Sequence, residues 1–460
     1  MKPRPLRDNV LAMGAVDWDR RLFDSLIPLP DGTSYNAFLV RGRDKTVLID
    51  TVEPTMLHVL MEQLEPVAAI DYIVSHHVEQ DHSGSLPQVM QKYPKAIVLC
   101  SEKAKPMLVD HLGLGAERIR IVKDGETLDL GGKTLEFIYT PWVHWPETMS
   151  SYLREERILF SCDFFGSHVA TSEIYVRDEA LVLEAAKRYY AEIMMPFRAT
   201  IKGNIAKVEA KPIDLIAPSH GPVYGRPALI IDAYKEWISD LPRNEAVIPY
   251  VTMHGSTARM VEHLVGALVE RGVRVQQFNM AGADIGKLAM SLVDAATVVI
   301  GTPAVHVGAH PQVAYAAMLA NALRPKLKFA SVEIKAPTRC ELPLLEGEAN
   351  DVFGERYVPF DSITTGGRGI LTKLRIELTI NLPMIIPFAN MVIFSFWRGA
   401  NALPFVNRKL TAPVADAAVD GYDRARQAGV YVLPIRAQYA MKMHSDFPLS
   451  ALPAGTNCNP

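Results

Sequence analysis

The chain has 460 residues, 49% of them apolar, and a net charge of −3. That length allows about two to four packed domains. The balanced charge, with no basic block, excludes a nucleic-acid-binding surface of the usual kind. Cys100, Cys162, Cys340 and Cys458 lie far apart without a CxxC pair. This argues against a disulfide framework, a zinc ribbon or a rubredoxin-type iron site, and fits a reducing cytoplasm. Residues 1–16 lack the apolar core of a signal peptide. The stretch 383–397 is shorter than the roughly 20 residues of a spanning helix and holds Pro387 and Asn390, so no membrane span is expected.

In chain order, residues 34–40 and 46–50 read as a hairpin, and 56–64 has helical spacing. The mostly apolar run 67–74 reads as a buried strand. Strands are expected at 96–99, 119–122, 127–130, 135–139, 158–161 and 213–218, with a long amphipathic helix at 181–195. Strands alternating with helices suggest an α/β sandwich. Near residues 240–243 the pattern changes. A strand at 246–251, a helix at 259–271, a strand at 273–278, a helix at 285–293 and a strand at 296–300 give βαβαβ, the pattern of a doubly wound parallel sheet. After Glu333 the periodicity weakens, with a helix at 412–427 and a strand at 430–434 expected. The domains expected are 1–242, 243–333 and an atypical C-terminal region 334–460.

Just past the 67–74 run come His77-Val78-Glu79-Gln80-Asp81-His82, four metal-binding groups within six residues. Alone, such a stretch can be a solvated polar turn. However, His144, Asp163 and His220 also stand just after strands. A lone histidine there is more often structural than a ligand. Seven groups at equivalent strand ends can instead build a pair of metal sites, with one carboxylate bridging. His76, next to His77, points the opposite way on a strand and reads as supporting or structural. His58, His111, His168 and His263 lack such context and stay outside the expected site.

These residues place the chain near the metallo-β-lactamase fold, whose dizinc members carry His where Glu79 stands here. Three carboxylates among seven ligands suit redox iron better than a nitrogen-rich zinc pair. With Glu79 and the βαβαβ half that follows, the sequence resembles the flavodiiron protein family (A-type flavoproteins) over about residues 15–333. The stretches 32–37, 83–87 and 218–221 share the likeness. The resemblance implies an N-terminal αββα sandwich followed by a flavodoxin-like sheet. It implies one iron held by His77, Glu79 and His144, the other by Asp81, His82 and His220, and Asp163 bridging them. It implies reduction of O2 to water, of NO to N2O, or both, fed by FMN. Trp145, Phe164 and Tyr190 are candidate pocket residues, and residues 26–30 lack the histidine that many members place near the pocket.

For the flavin, the loop Thr252, Met253, His254, Gly255, Ser256, Thr257 and Ala258 stands after the first strand of the sheet and before a helix. Its hydroxyls and backbone N–H groups can hold a phosphate, although the same tripeptide also serves as a plain helix cap. No GxGxxG is present, which disfavours a dinucleotide. Thr302, Pro303, Ala304 and His306 match the family's second flavin loop; the alternative is an ordinary turn with a proline. Beyond Glu333 the chain reads Ile334-Lys335-Ala336-Pro337-Thr338 and departs from the family's third flavin loop. The resemblance also implies a head-to-tail homodimer or homotetramer. Without CxxC pairs, a separate rubredoxin or flavin reductase is the expected electron donor. Residues alone leave two rivals open: a dizinc hydrolase with an appended flavodoxin-like domain, and a non-catalytic electron-transfer flavoprotein.

Overall fold

The computed structural model describes residues 2–323 apart from positions 24, 26, 240, 306 and 307. It also describes the strands Phe329–Ala336, Asn350–Val352, Glu355–Val358, Lys373–Pro383, Val432–Lys442 and Phe447–Pro448. The chain divides into two compact units, residues 1–296 with 301–323, and residues 297–300 with 324–460.

In the first unit, one sheet has seven strands, in the order Arg4–Arg7, Val10–Asp17, Thr33–Arg41, Thr46–Ile49, Tyr72–Val74, Ile97–Cys100 and Ile119–Ile121. Its first four strands pair antiparallel and the rest parallel. A second sheet has Thr127–Asp129, Thr134–Tyr139, Met149–Leu153, Ile158–Cys162 and Leu215–Pro218, with only the last pair parallel. The two-residue period of the strands decides what each face buries. Phe38, Val47, Ile49, Val74 and Leu99 pack with Phe137, Met149, Leu153 and Phe160 of the second sheet. Leu39, Leu48, Ile73 and Val98, on the opposite face, pack with Leu60, Leu86, Val89 and Leu108 from three helices. Strands covered on both faces are apolar throughout, as these are. Burying each such side chain is worth about 1.5–3 kcal/mol.

Two expectations shift. The strand expected at 67–74 is only Tyr72–Val74. Val67 instead returns its N–H to Leu64 O at 3.1 Å and packs in a turn. The long helix expected at 181–195 is α-helical over Glu179–Tyr189, where Asp178 caps it by accepting from Leu181 N. It then widens into a π-helical turn, Tyr190–Met194, and tightens into Met195–Phe197. Pro196 lacks the N–H that would continue a regular ladder.

Further along the first unit, Arg243–Tyr250 pairs parallel with Arg274–Asn279, joined by the helix Ser256–Val269. That helix starts three residues earlier than expected because Gly255, at φ +87°, turns the chain directly into it. The helix Ile285–Asp294 follows, and Tyr250 bridges Gly301 in parallel. The alternation is flavodoxin-like. The second unit, taken by itself, has an antiparallel sheet of Phe329–Ala336, Lys373–Pro383 and Val432–Lys442, and a small sheet of Asn350–Val352, Glu355–Val358 and Phe447–Pro448. The strand expected at 430–434 overlaps Val432–Lys442; the helix expected at 412–427 lies outside the described residues. Among the described residues, no helix is long and apolar enough to cross a membrane.

Phe137 is fully buried between the two sheets. Phe137→Ala is expected to cost about 3–5 kcal/mol, measured by denaturant unfolding; a loss below about 1 kcal/mol would show that the sandwich core refills.

Candidate metal centre

The short strand Tyr72–Val74 ends in a turn fixed from below. Asp50, at φ +55° and buried, accepts the His76 N–H at 2.8 Å on Oδ1 and pairs with His76 Nδ1 at 2.7 Å on Oδ2. His76 Nε2 lies 2.9 Å from Ser151 Oγ. Both ring nitrogens of His76 are therefore spent, and His77 points to the other side. Glu79 then stands at the N-terminus of a single helical turn, Gln80–Ser83, which folds Asp81 and His82 back into the interior. Asp163 follows Ile158–Cys162, and Ser219 N donates to Cys162 O at 2.9 Å. Gly221, at φ +80°, completes the turn after His220. A Cβ there would come within 2.1 Å of Ser167 Oγ, so only glycine fits.

The structure brings all seven expected residues together. His77, Glu79, His144 and Asp163 form one group of converging ligand atoms, and Asp81, His82 and His220 form another. In the first, Glu79 Oε2 lies 3.1 Å from His77 Nε2 and 3.0 Å from His144 Nε2. Asp163 Oδ2 lies 3.5 Å from His77 Nε2 and 3.6 Å from His144 Nε2. Its other oxygen, Oδ1, lies 3.0 Å from His82 Nε2 and 3.2 Å from His220 Nε2. Asp81 completes the second group, 3.4 Å from His82 Nε2 and 3.2 Å from His220 Nε2. Asp163 thus presents one oxygen to each group. Both oxygens of Asp81 and of Asp163, with His82 Nε2 and His220 Nε2, are buried without a hydrogen-bond partner. Buried polar atoms that only face one another fit a pair of cations.

Groups outside the cluster aim the rings. Glu147 Oε1 is 2.7 Å from His77 Nδ1 and also accepts Val78 N–H at 3.2 Å. His220 Nδ1 donates to Ser34 O at 2.7 Å. Each bond puts the proton on Nδ1 and leaves Nε2 to face inward. Trp145 meets His77 edge-on at 5.0 Å.

Charge is balanced tightly. Burial pulls the His77 imidazole down, but hydrogen bonds to Glu147 and Glu79 and the charge of Asp163 raise it to about 10. Burial likewise opposes His82 and His220, and Asp163 and Asp81 raise them to about 9 and about 10. Asp163, resisting burial, is held well below the usual carboxylate range by His82 and His220. Without metal, protons on the imidazoles neutralise the carboxylates, and metal ions must displace those protons. A further group, Asp50, His76 and Cys162, could also hold a metal ion by proximity. Its His76 is fully bonded, and burial pushes the Cys162 thiol well above its ordinary value. It supports the turn instead.

Four residues in or beside this centre are not among the expected ligands. Glu147 stands three residues after His144, and its acid in a tight loop was the only hint. Ser34 reads as the start of a strand, and Thr33 and Ser34 both lie in the stretch 32–37 that shares the family likeness. His168, left outside the expected site, in fact lies tilted 4.5 Å from the His220 ring and meets Tyr189 edge-on at 4.4 Å. It sits five residues past Asp163 on the loop that returns to His220. Of the expected pocket residues, Trp145 touches a site histidine. Phe164 instead stacks on Phe165 at 3.8 Å, and Tyr190 packs on Tyr234 and Trp237. Tyr189 is the tyrosine that reaches His220, at 5.9 Å. Leu29 occupies the segment without histidine and is buried with Phe23 and Ile27.

The two expected flavin loops start side by side. Tyr250 and Gly301 pair in parallel, so the loops after them leave the same sheet edge, where ligands of such sheets bind. Gly255 N–H donates to Thr252 Oγ1 at 3.0 Å, and nothing lies within 4 Å of where a Gly255 Cβ would stand. His254 and Ser256 are exposed, Thr257 is buried and Ala258 half-buried. An open, hydroxyl-lined start of a 14-residue helix fits a phosphate. Thr302 is engaged locally, donating to Pro303 O at 2.8 Å and accepting from His310 N at 2.9 Å. Ala304 begins the short strand Ala304–Val305, and His306 lies outside the described residues.

Two outcomes test this geometry. Glu147→Ala removes the acceptor on His77 Nδ1 and is expected to weaken metal binding by about 10–100-fold in a chelator competition, with the circular dichroism unchanged; unchanged affinity would show that Glu147 does not aim His77. In metal-free protein, the raised imidazoles contribute stability that is full below their unfolded value of ~6.5. It is lost as pH rises through about 9 to about 10. The metal-free melting temperature should therefore fall between about pH 6.5 and about pH 10 while the metal-loaded one does not; parallel curves would contradict the charge balance.

Residues 33–221 match the family described as ODP family beta lactamase. The nitric oxide reductase of Moorella thermoacetica is 36% identical over 336 residues, 71% of this chain and 84% of that protein. The rubredoxin oxygen:oxidoreductase of Desulfovibrio gigas superposes with a TM-score of 0.68 at 30% identity, covering 70% of this chain and 83% of that one. The flavodiiron protein of Giardia intestinalis does so with a TM-score of 0.68 at 28% identity, over 71% and 81%. With this likeness added to the two-domain pattern and the seven-residue cluster, the chain belongs to the flavodiiron protein family.

Proposed function

We propose that this chain reduces O2, NO or both at a pair of iron ions, with electrons arriving through FMN. The observation that carries the reading is Asp163, which turns one carboxylate oxygen toward each ligand group. His77, Glu79 and His144 would hold one ion, Asp81, His82 and His220 the other, with Asp163 facing both. The oxidants follow from the relatives named for nitric oxide and for oxygen. Bound there, two iron ions would supply electrons in pairs to a small oxidant.

The chain's own groups prepare that chemistry. Glu147 and Ser34 hold the Nδ1 protons of His77 and His220, so Nε2 stays free. Burial excludes bulk water, and Trp145, edge-on to His77, adds an apolar face. Both gases are small and nearly apolar, so the pocket needs little hydrogen-bonding recognition. Thr252, Gly255, Ser256 and Thr257 would hold the flavin phosphate, and Thr302, Pro303 and Ala304 would face the ring. An external rubredoxin or flavin reductase supplies electrons, and the working unit is a head-to-tail homodimer or homotetramer in the cytoplasm.

The direct test is anaerobic reduction of the purified protein, followed by separate additions of O2 and of NO. At least one gas should reoxidise the flavin; a flavin that neither reoxidises sinks the reading. Two zinc ions and no iron in protein purified without added metal would favour a hydrolase instead. His82→Ala or Asp163→Ala should lose iron and gas consumption while flavin content stays the same; equal flavin loss would mean general unfolding.

A further inference from the structure

The helix Glu179–Tyr189 and the π-helical turn Tyr190–Met194 belong to the metal-binding part of the chain, and the helix Ile285–Asp294 to the flavodoxin-like part. Two ion pairs join them. At one end, Lys187 Nζ lies 2.5 Å from Asp294 Oδ2. At the other, Arg188 donates to both oxygens of Asp284, at 2.7 and 2.8 Å. Asp284 also caps its own helix, accepting Gly286 N–H at 2.9 Å and Lys287 N–H at 3.2 Å on Oδ1. The contact is close: a Cβ on Gly286 would come within 2.0 Å of Arg188 Nη1 and 2.2 Å of Glu192 Oε1. Both side chains therefore lie against the first turn of that helix.

Glu192, on the π-helical turn, is the third charged group at this joint. Its side chain is 6% exposed, and neither carboxylate oxygen has a hydrogen-bond partner. Arg188 Nη1 is 3.8 Å away, beyond hydrogen-bond reach, with both arms given to Asp284. One buried guanidinium thus stands between two carboxylates and serves one of them. The two differ in what they need. The Asp284 side chain is 33% exposed and water can solvate it. An ionised Glu192 has no such recourse, and a buried carboxylate without a partner is far costlier than an exposed one. The other groups facing Glu192 are Glu184 on its own segment, and Asp31 and His168 across a small shared cavity. Asp31 and Glu184 are exposed, so the Glu192 proton can exchange with solvent on that side. Burial and His220 keep His168 neutral.

We propose that Arg188, Glu192 and Asp284 form a pH-sensitive latch between the metal-binding and flavodoxin-like parts. While Glu192 holds its proton, Arg188 grips Asp284 and the latch is closed. When the Glu192 O–H gives its proton to solvent, the buried carboxylate draws Arg188 across the 3.8 Å gap. Asp284 then turns to water, and the first turn of Ile285–Asp294 loses its tether. The Lys187–Asp294 pair keeps the other end of that helix in place. The latch works apart from the gas chemistry, since none of its three groups touches a metal ligand or the flavin loops. Burial supports the role by pushing the Glu192 carboxyl up to about 8; Arg188 opposes the rise and Asp284 adds to it. The unfolded value is ~4.3. The advantage of the closed latch is therefore full below ~4.3 and is lost as pH rises through about 8.

The test uses the full chain as purified, with Glu192→Gln and Asp284→Asn. Infrared difference spectra across pH should show a protonated-carboxyl band that titrates near about 8 and is missing in Glu192→Gln. In Asp284→Asn the band should titrate at lower pH, because Arg188 is then free to turn to Glu192. Hydrogen exchange of the Gly286, Lys287 and Leu288 amides, corrected for its intrinsic pH dependence, should rise between about pH 6 and about pH 8 and then level off. The rise should be up to about tenfold per pH unit. In Glu192→Gln the exchange should stay slow and flat, and amides near Asp294 should not follow the rise in the wild type. Flat exchange in the wild type, the same rise in Glu192→Gln, or an unmoved band in Asp284→Asn overturns the proposal, since Arg188 is then not shared between the two acids. Should Glu192→Gln fail to fold, the wild-type rise and the Asp284→Asn shift still decide the matter.

Discussion

Three carboxylates and four imidazoles are buried together in this protein, and that charge must be compensated within a few ångströms. A buried unpaired carboxylate costs several kcal/mol, so the cluster persists only with cations in it, either protons or metal ions. Much of the surrounding structure serves this constraint. The left-handed Asp50 and its bonds to His76 lock one turn. Glycine at 221 allows another, and Glu147 and Ser34 fix the tautomers. The sandwich core contributes by holding the strand ends that carry these turns.

The same constraint explains why the seven residues were legible. Each follows a strand whose apolar content is unmistakable, and each is a type that has no business in a dry interior alone. Short-range errors, such as the strand expected at 67–74, left the end of the strand in place and so did not move the ligands. Glu147 and His168 were not legible, because their role depends on which loop returns to which ring. That is a long-range fact: His168 reaches His220 only because Ser167 N–H bonds to His220 O. The broken helix after Tyr189 was equally hidden. Its side-chain pattern is helical, and only the packing against Gly286 reveals where Glu192 points.

The flavodoxin-like part shows a different balance. Its alternation of strands and helices was plain, and the parallel pairing of Tyr250 with Gly301 brings both expected loops to one edge. Gly255 moved the helix start by three residues because a left-handed glycine ends one element and begins the next without a linker. Beyond residue 333 the sequence as a whole lacks a clean period. The strand Lys373–Pro383 of the second unit was not anticipated, although Leu374, Ile376, Leu378, Ile380 and Leu382 alternate with Arg375, Glu377, Thr379 and Asn381; the signal was passed over among the scattered prolines on either side.

The central claim is that Asp163 stands between two metal ions, and anomalous diffraction at the iron edge of the iron-loaded protein tests it most directly. The account predicts two iron peaks, one flanked by His77, Glu79 and His144 and the other by Asp81, His82 and His220, with an Asp163 oxygen toward each. A single peak, or peaks at Asp50, His76 and Cys162, would contradict it.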